Sequence, residues 1–370
     1  MESCKPLGQK VNDYIVSFRE NTINEVTESP LYRNYKANNY QVDCSCPRFG
    51  SGEAKGILKE TIRGTDLFIM TDVCNYSLTY TVNGHLNHMS PDDHYQDLKR
   101  IISAATGKAH RINVIMPFLY EGRQHRRKKR ESLDCAVALQ ELQAMGVSNI
   151  LTFDAHDPRV QTAVPLMGLD NIIPSYQVLK AMFKNLSDFR PDKDHFMIIS
   201  PDEGAINRNM YYASVLGVNL GMFYKRRDYS TIIDGRNPIV AHEYMGNDVA
   251  GKDVFIADDI ISSGESMLDI AVELKKRKAN KIYCYATYPI FTNGLEAFNK
   301  AYADGIIDGV FGTNLTYRTP ELLSSPWFYE VDCSKYIAYF IASLNHDKSI
   351  SQVIDPHTKI EALLKKYGIK

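Results

Sequence analysis

The chain has almost no net charge: over 370 residues, 43 Lys and Arg face 44 Asp and Glu, a formal charge of -1. That balance excludes a global field tuned for nucleic acid or anionic lipid, so any anion site must be local. No apolar run approaches the length that spans a bilayer, and the polar N-terminus, with Lys5 and Lys10, has no apolar segment of the signal-peptide kind. The expectation is a cytoplasmic protein with no membrane and no nucleic-acid partner. The seven cysteines contain no Cys-x-x-Cys pair and no Cys/His cluster, and Cys44 and Cys46 are too close and too isolated for a zinc knuckle. Reduced, mostly structural thiols are expected. A Walker A loop is also missing, so any ATP must be gripped by other groups.

The length exceeds what one core usually organises, which favours two domains. From Asp66 onward, short runs rich in Val, Ile, Phe and Tyr alternate with helical patterns, the signature of βαβ units and a mainly parallel sheet. Strands are expected at Leu67–Met70, Ile112–Phe118, Asn149–Phe153, Phe196–Ile199, Leu220–Tyr224, Val254–Ala257, Ile282–Ala286 and Gly309–Phe311. Helices fall between them, with Ser90 and Ser132 as N-terminal hydroxyls and Gly107, Gly146 and Gly217 as stops. The pattern runs twice. It predicts an N-terminal extension over 1–36, an α/β half over 37–175, a second over 176–320, and a C-terminal segment with a tail helix over 321–370.

Polar clusters sit where strands run out into loops, the place where open α/β sheets hold ligands. The most specific is Val254 to Ser266, VFIADDIISSGES: an apolar strand, the acidic pair Asp258 and Asp259, a loop of small and hydroxyl residues, then a helix. Loop amides, Ser262, Ser263, Ser266 and the helix N-terminus can hold a phosphate dianion without a lysine. The carboxylates can accept from two vicinal sugar hydroxyls or hold a hydrated Mg²⁺. Both tasks suit a ribose 5-phosphate, while an ordinary strand-end turn with an Asp cap is the plain structural alternative. The basic run Arg123 to Arg130 is read as a solvated loop or one that closes on a polyphosphate. His156 emerges between Asp154 and Asp157, and Asp202 stands in a second acidic strand end; together they could share a Mg²⁺. Lys225-Arg226-Arg227 closes a strand and opens a polar loop expected to reach about Met245.

In order and in motif, these segments resemble the ribose-phosphate pyrophosphokinase family from about Asp43 to Ile354. Phe49-Gly50-Ser51-Gly52-Glu53 is similar to the family's F-S-D-G-E, Pro117 through Arg123-Gln124 to P-Y-x-x-Y-A-R-Q, Asp154-Ala155-His156 to D-L-H, Pro201 to Gly204 to P-D-x-G, and Lys225 to Arg227 to K-R-R. The resemblance implies two doubly wound, mainly parallel α/β halves of the type I phosphoribosyltransferase-like fold. It implies transfer of the β,γ-diphosphoryl group of ATP to the C1 hydroxyl of ribose 5-phosphate, with Mg²⁺ as cofactor and a homo-oligomer as the working form. Phe49 and Glu53 would meet the purine, and Arg123 and Gln124 the nucleotide and its phosphates. His156 and Asp202 would hold Mg²⁺, Asp258 and Asp259 the ribose hydroxyls, and Ser262, Ser263, Gly264 and Ser266 the 5-phosphate. Lys225 and Arg227 would stabilise charge in the transition state.

The sequence departs from the family pattern at Ser51 and Ser262, each in place of an acid, at His125 in place of Asp, and at Tyr288 in place of His. Two rival functions share parts of this pattern: a phosphoribosyltransferase, and a non-catalytic regulatory homologue of the synthetase.

Overall fold

A computed structural model describes residues 1–22, 37–227 and 239–369. The chain divides into two compact units. One comprises Met1–Pro174, Asn314–Tyr317 and Asp332–Asp355, the other Ser175–Thr313, Arg318–Val331 and Pro356–Lys370.

The first unit opens with helix α1 (Lys5–Thr22), then a two-residue ladder of β1 (Cys44–Ser45) with β2 (Ile57–Leu58). Its sheet is built from β3 (Asp66–Met70), β6 (Arg111–Ile115), β7 (Asn149–Phe153) and β8 (Gly168–Ile172), all parallel and in that order. Between β3 and β6 lie a hairpin, β4 (Thr79–Val82) and β5 (His85–His88), and helix α2 (Pro91–Ala105). Helix α3 (Asp134–Ala144) joins β6 to β7. The alternation of Val, Ile and Leu with helical stripes therefore produces the mainly parallel sheet that pattern requires. Leu67, Ile69, Val114 and Ile150 face Leu98, Ile102 and Leu139 in one core.

The second unit contains α4 (Ser175–Asn185), β9 (Phe196–Ser200), α5 (Ile206–Leu216), β10 (Asn219–Arg227), β11 (Ile239–Met245), β12 (Asp253–Ile261), α6 (Glu265–Lys276), β13 (Ile282–Pro289), α7 (Glu296–Ala303), β14 (Gly309–Thr313), α8 (Pro320–Ser324) and β15 (Phe328–Val331). Its seven strands run in the order β11-β10-β9-β12-β13-β14-β15, parallel except for β10 with β11. Every residue of β9, β13 and β14 is buried, as expected of strands covered on both faces.

The first 22 residues, read from sequence as an extension, belong to the first unit. Leu7 and Val11 of α1 are buried, and Phe18 stacks on Tyr339 of α9 (Ser334–Asn345) at 4.6 Å between ring centroids. After α9 comes the short α10 (Ser351–Ile354). The tail helix α11 (His357–Lys366) buries Ile360 and Leu364 and contacts α4. None of the seven cysteines forms a disulfide. Burial pushes the Cys4 and Cys284 thiols up to about 12, which keeps them protonated and inert.

Several boundaries differ from the sequence reading for identifiable reasons. Ser90 does cap α2, in a reciprocal capping box with Asp93. Ser132 does not cap α3: its hydroxyl donates to the Asp134 carboxylate at 2.5 Å, and the helix starts at Asp134. The polar loop expected from Lys225 to about Met245 is instead framed by strands, because Lys225 pairs with His242 and Met222 with Met245 in an antiparallel ladder. The hairpin β4–β5 escaped the sequence reading although Asn83-Gly84 between two short runs announces it. Both residues take positive φ, 49° and 81°, as a tight two-residue hairpin turn requires. Strand β8, Gly-Leu-Asp-Asn-Ile, has too few apolar residues to be seen from periodicity.

Candidate functional site

In the second sheet, strand order reverses between β9 and β12, and open α/β sheets bind ligands at the carboxyl ends of strands at such a reversal. The end of β9 leads into Asp202; the end of β12 carries Asp258 and Asp259. Strand β12 pairs with β9 only as far as Ile256 with Ile199, then continues alone against β13, with Ile260 beside Tyr288 and Ile261 beside Pro289. The acidic pair therefore lies within the strand, not just past an end at Ala257 as the sequence pattern predicts, because the two β-branched residues after it go on pairing. Beyond β9, the Ala257 carbonyl is taken by the buried Asn209, whose amide also donates to Ala205 O (2.8 and 2.9 Å). Asn209 thus ties the start of α5 to the strand that carries the acids.

Asp258 is about a quarter exposed (26%) and accepts from the Asp259 amide at 2.9 Å. Burial raises its carboxyl well above the ordinary range, and the Asp259 and Asp202 charges add to the rise. Arg208, with Nη1 3.6 Å from Asp258 Oδ1, opposes it. Crowded acids beside one mostly buried guanidinium are costly to hold without a ligand, and such groups mark functional sites. Arg208 was visible in the sequence only as a residue near a helix start; one turn of α5 brings it to Asp258.

Ser262 and Ser263 follow, half-buried, and Gly264 opens α6. The loop is braced by the segment after β13: Ser262 Oγ lies 3.3 Å from Thr292 Oγ1, and the Thr292 amide donates to Ser262 O at 2.9 Å. The first-turn amides of α6 lie beside exposed Ser266, and a helix start of this kind can accept an anion. Gly264 has two reasons to be glycine. Its φ is +79°, and a Cβ would meet the Phe298 ring at 2.3 Å. Gly264→Ala is expected to cost about 2–4 kcal/mol, read as a lowered thermal midpoint; an unchanged midpoint would show that the loop can move aside.

In the first unit, the Phe49–Glu53 loop is closed by Phe49 N–H to Glu53 O (2.7 Å) and Gly52 N–H to Phe49 O (2.9 Å). Phe49 projects as a 53% exposed ring, and Glu53 is exposed with its carboxylate accepting from Ser51 Oγ at 3.0 Å. Arg123 is exposed. Gln124 is held by its amide to Glu121 O (2.8 Å) and its side chain to Ser132 O (3.0 Å). His125 anchors the basic loop: Nε2 sits 3.2 Å from Asp157 Oδ2, and its ring lies 5.5 Å from that of His156. Burial pushes the His125 imidazole down. His156 itself is exposed, lifted out by Asp154 at φ +37°.

The structure therefore sets His125, next to Arg123 and Gln124 in the chain, beside His156, and Asp258 beside Asp259 and Arg208, with the Asp202 charge felt at Asp258. The backbones of Lys225 and Arg227 lie in β10, while their side chains are outside the described residues. Among the described residues, no three His, Cys, Asp or Glu side chains converge to hold a metal, and no helix is long and apolar enough to cross a membrane.

Residues 1–146 match the model of the N-terminal domain of ribose phosphate pyrophosphokinase, and residues 169–305 that of the phosphoribosyl transferase domain. The chain is 28% identical over 314 residues to a ribose-phosphate pyrophosphokinase of Shewanella oneidensis, covering 84% of this chain and 90% of that protein. It is 27% identical over 318 residues to one of Vibrio cholerae, with 85% and 91% covered. The fold is similar to that of phosphoribosylpyrophosphate synthetase from Mycobacterium smegmatis, with a TM-score of 0.69 at 19% identity over 90% of this chain and 95% of that one.

Proposed function

Because the chain belongs to the ribose-phosphate pyrophosphokinase family as a distant member, we propose that it transfers the β,γ-diphosphoryl group of ATP to ribose 5-phosphate. The C1 hydroxyl oxygen forms a bond to Pβ, and the bond from Pβ to the bridging oxygen of the α-phosphate breaks, releasing AMP. The observation that carries the reading is the strand-order reversal, where an acidic pair runs directly into a hydroxyl-lined loop and a helix start.

In this reading Asp258 and Asp259 accept from the ribose hydroxyls, and the loop from Ser262 through Ser266 holds the 5-phosphate against the α6 amides. Phe49 offers a face for the purine, Glu53 its edge, and Arg123 with Gln124 the nucleotide phosphates. Lys225 and Arg227 neutralise charge that develops on the transferring group. The reading implies Mg²⁺: exposed His156 in the first unit, and Asp202 in the second, would each offer a donor to such an ion, which with few protein ligands takes the rest from water and phosphate. When bound, Mg²⁺ supplies charge neutralisation on those phosphates.

The match of residues 1–146 to the synthetase N-terminal domain argues against a phosphoribosyltransferase, and the presence of His156, Lys225 and Arg227 argues against a purely regulatory homologue. An assay with ATP, Mg²⁺ and ribose 5-phosphate is expected to yield AMP and the sugar diphosphate in equal amounts. No AMP release, or release that does not depend on the sugar phosphate, would refute the proposal.

A further inference from the structure

The hairpin β4–β5 lies against the Phe49–Glu53 loop. The Asn83 amide donates to Gly50 O at 3.3 Å, and a Cβ on Gly52 would meet Val82 at 3.1 Å. Between them opens a cavity of about 750 Å³ lined on one side by Ser51 and Glu53, on the other by Asn83 and Asn87, with Tyr80 and Arg100 also in its wall. The wall is fixed. Tyr80 donates to Asp93 at 3.1 Å, and the Arg48 guanidinium sits 4.9 Å over its ring. Arg48 in turn binds Asp97 through both oxygens, at 2.6 and 3.0 Å.

The donor and acceptor inventory of this cavity is specific. The Ser51 hydroxyl proton is spent on Glu53 Oε2, so this side presents a carboxylate and lone pairs only. A guanine edge offers adjacent N1–H and N2–H donors, which a carboxylate accepts together. An adenine edge offers one amino donor beside the N1 lone pair, which a carboxylate repels. Arg100 spends Nη1 on Asp97 at 2.6 Å; the rest of its guanidinium can donate to O6 and N7, the acceptor pair that arginine reads in guanine. Adenine has an amino group where guanine has O6.

We infer that this hairpin-walled cavity is a purine-selecting pocket that accepts a 6-oxopurine nucleotide, so that GTP serves at least as well as ATP. Arg100 and Glu53 are its specificity-determining residues. The inference rests on the nucleotide reading of the Phe49–Glu53 loop proposed above.

The test is equilibrium binding of Mg²⁺ complexes of α,β-methylene GTP and ATP to the full chain, since neither analogue can release a nucleoside monophosphate. The GTP analogue is expected to bind as tightly as the ATP analogue or tighter. Arg100→Lys keeps a cation on Asp97, which Arg48 also holds, but removes the planar fork. It is expected to weaken the GTP analogue by about tenfold or more and leave the ATP analogue within about threefold. Glu53→Gln is expected to lower the GTP preference in the same direction. ATP binding a hundredfold tighter, equal losses for both analogues in Arg100→Lys, or no binding of either would overturn the inference. Tight GTP binding with no sugar-dependent release of either AMP from ATP or GMP from GTP would leave the pocket standing and sink the transferase reading instead.

Discussion

Lys225→Ala is expected to lower kcat by about 10³- to 10⁵-fold while leaving thermal unfolding unchanged, because a cation placed on a transferring phosphoryl group acts mainly in the transition state. A displacement at Pβ needs in-line geometry and charge neutralisation more than a strong base. The sequence supplies cations and carboxylates but no obvious base for the sugar hydroxyl. The backbone context makes the variant informative: Lys225 lies in the regular antiparallel ladder of β10 with β11, opposite His242, and the register slips only after it, between Arg226 and Arg227. Alanine in such a ladder changes little in the fold. Arg227→Ala, on the far side of that irregularity, is expected to show the same pattern. The KM for ribose 5-phosphate should barely move in either variant. Near-normal turnover in Lys225→Ala would remove this residue from the mechanism.

Asp258→Asn is expected to trade function for stability. In the proposed reading a ribose hydroxyl loses its carboxylate acceptor at Asp258, so kcat/KM for ribose 5-phosphate should fall by about 10²-fold or more. At neutral pH the thermal midpoint should rise by about 2–4 °C, the shift that accompanies roughly 1 kcal/mol. The sign follows from the raised Asp258 carboxyl. The folded state retains a proton at pH values where the unfolded Asp, with its ordinary value of 3.8, has released it. Stability therefore falls as pH rises from that ordinary value through the raised one, the reverse of the usual salt-bridged Asp. The Asn side chain does not titrate, so the variant's advantage should be small at pH 4 and grow toward pH 8. The Asp202 and Asp259 charges, which act on the same carboxyl, remain in the variant. A lower midpoint than wild type at pH 8 would show that the Asp258 to Arg208 contact outweighs the crowding of acids.

Much of the framework was legible in the residues alone. Strand β7 runs from Asn149 to Phe153 as its apolar run predicts, and α2 starts where Ser90 and Pro91 announce it. The order of polar clusters at strand ends was legible for the same reason: a parallel sheet covered on both faces needs continuous apolar strands, so the first polar residues after each run stand out. The hairpin turn at Asn83-Gly84 was equally readable, but its short, half-polar strands hid it.

What the sequence by itself determined, then, is local and periodic: which runs form strands and helices, where caps and glycine stops fall, and which acids, cations and hydroxyls follow each strand. Those features depend on neighbours within a few residues along the chain. The tertiary structure alone decided that β12 carries Asp258 and Asp259 as strand residues beside β13, that Arg208 reaches Asp258, that His125 engages Asp157 and His156, and that a hairpin walls the Ser51–Glu53 loop. These are contacts between residues about 30 or more positions apart. Strand order and register set them, and both emerge from how the sheet buries its two faces rather than from any local pattern.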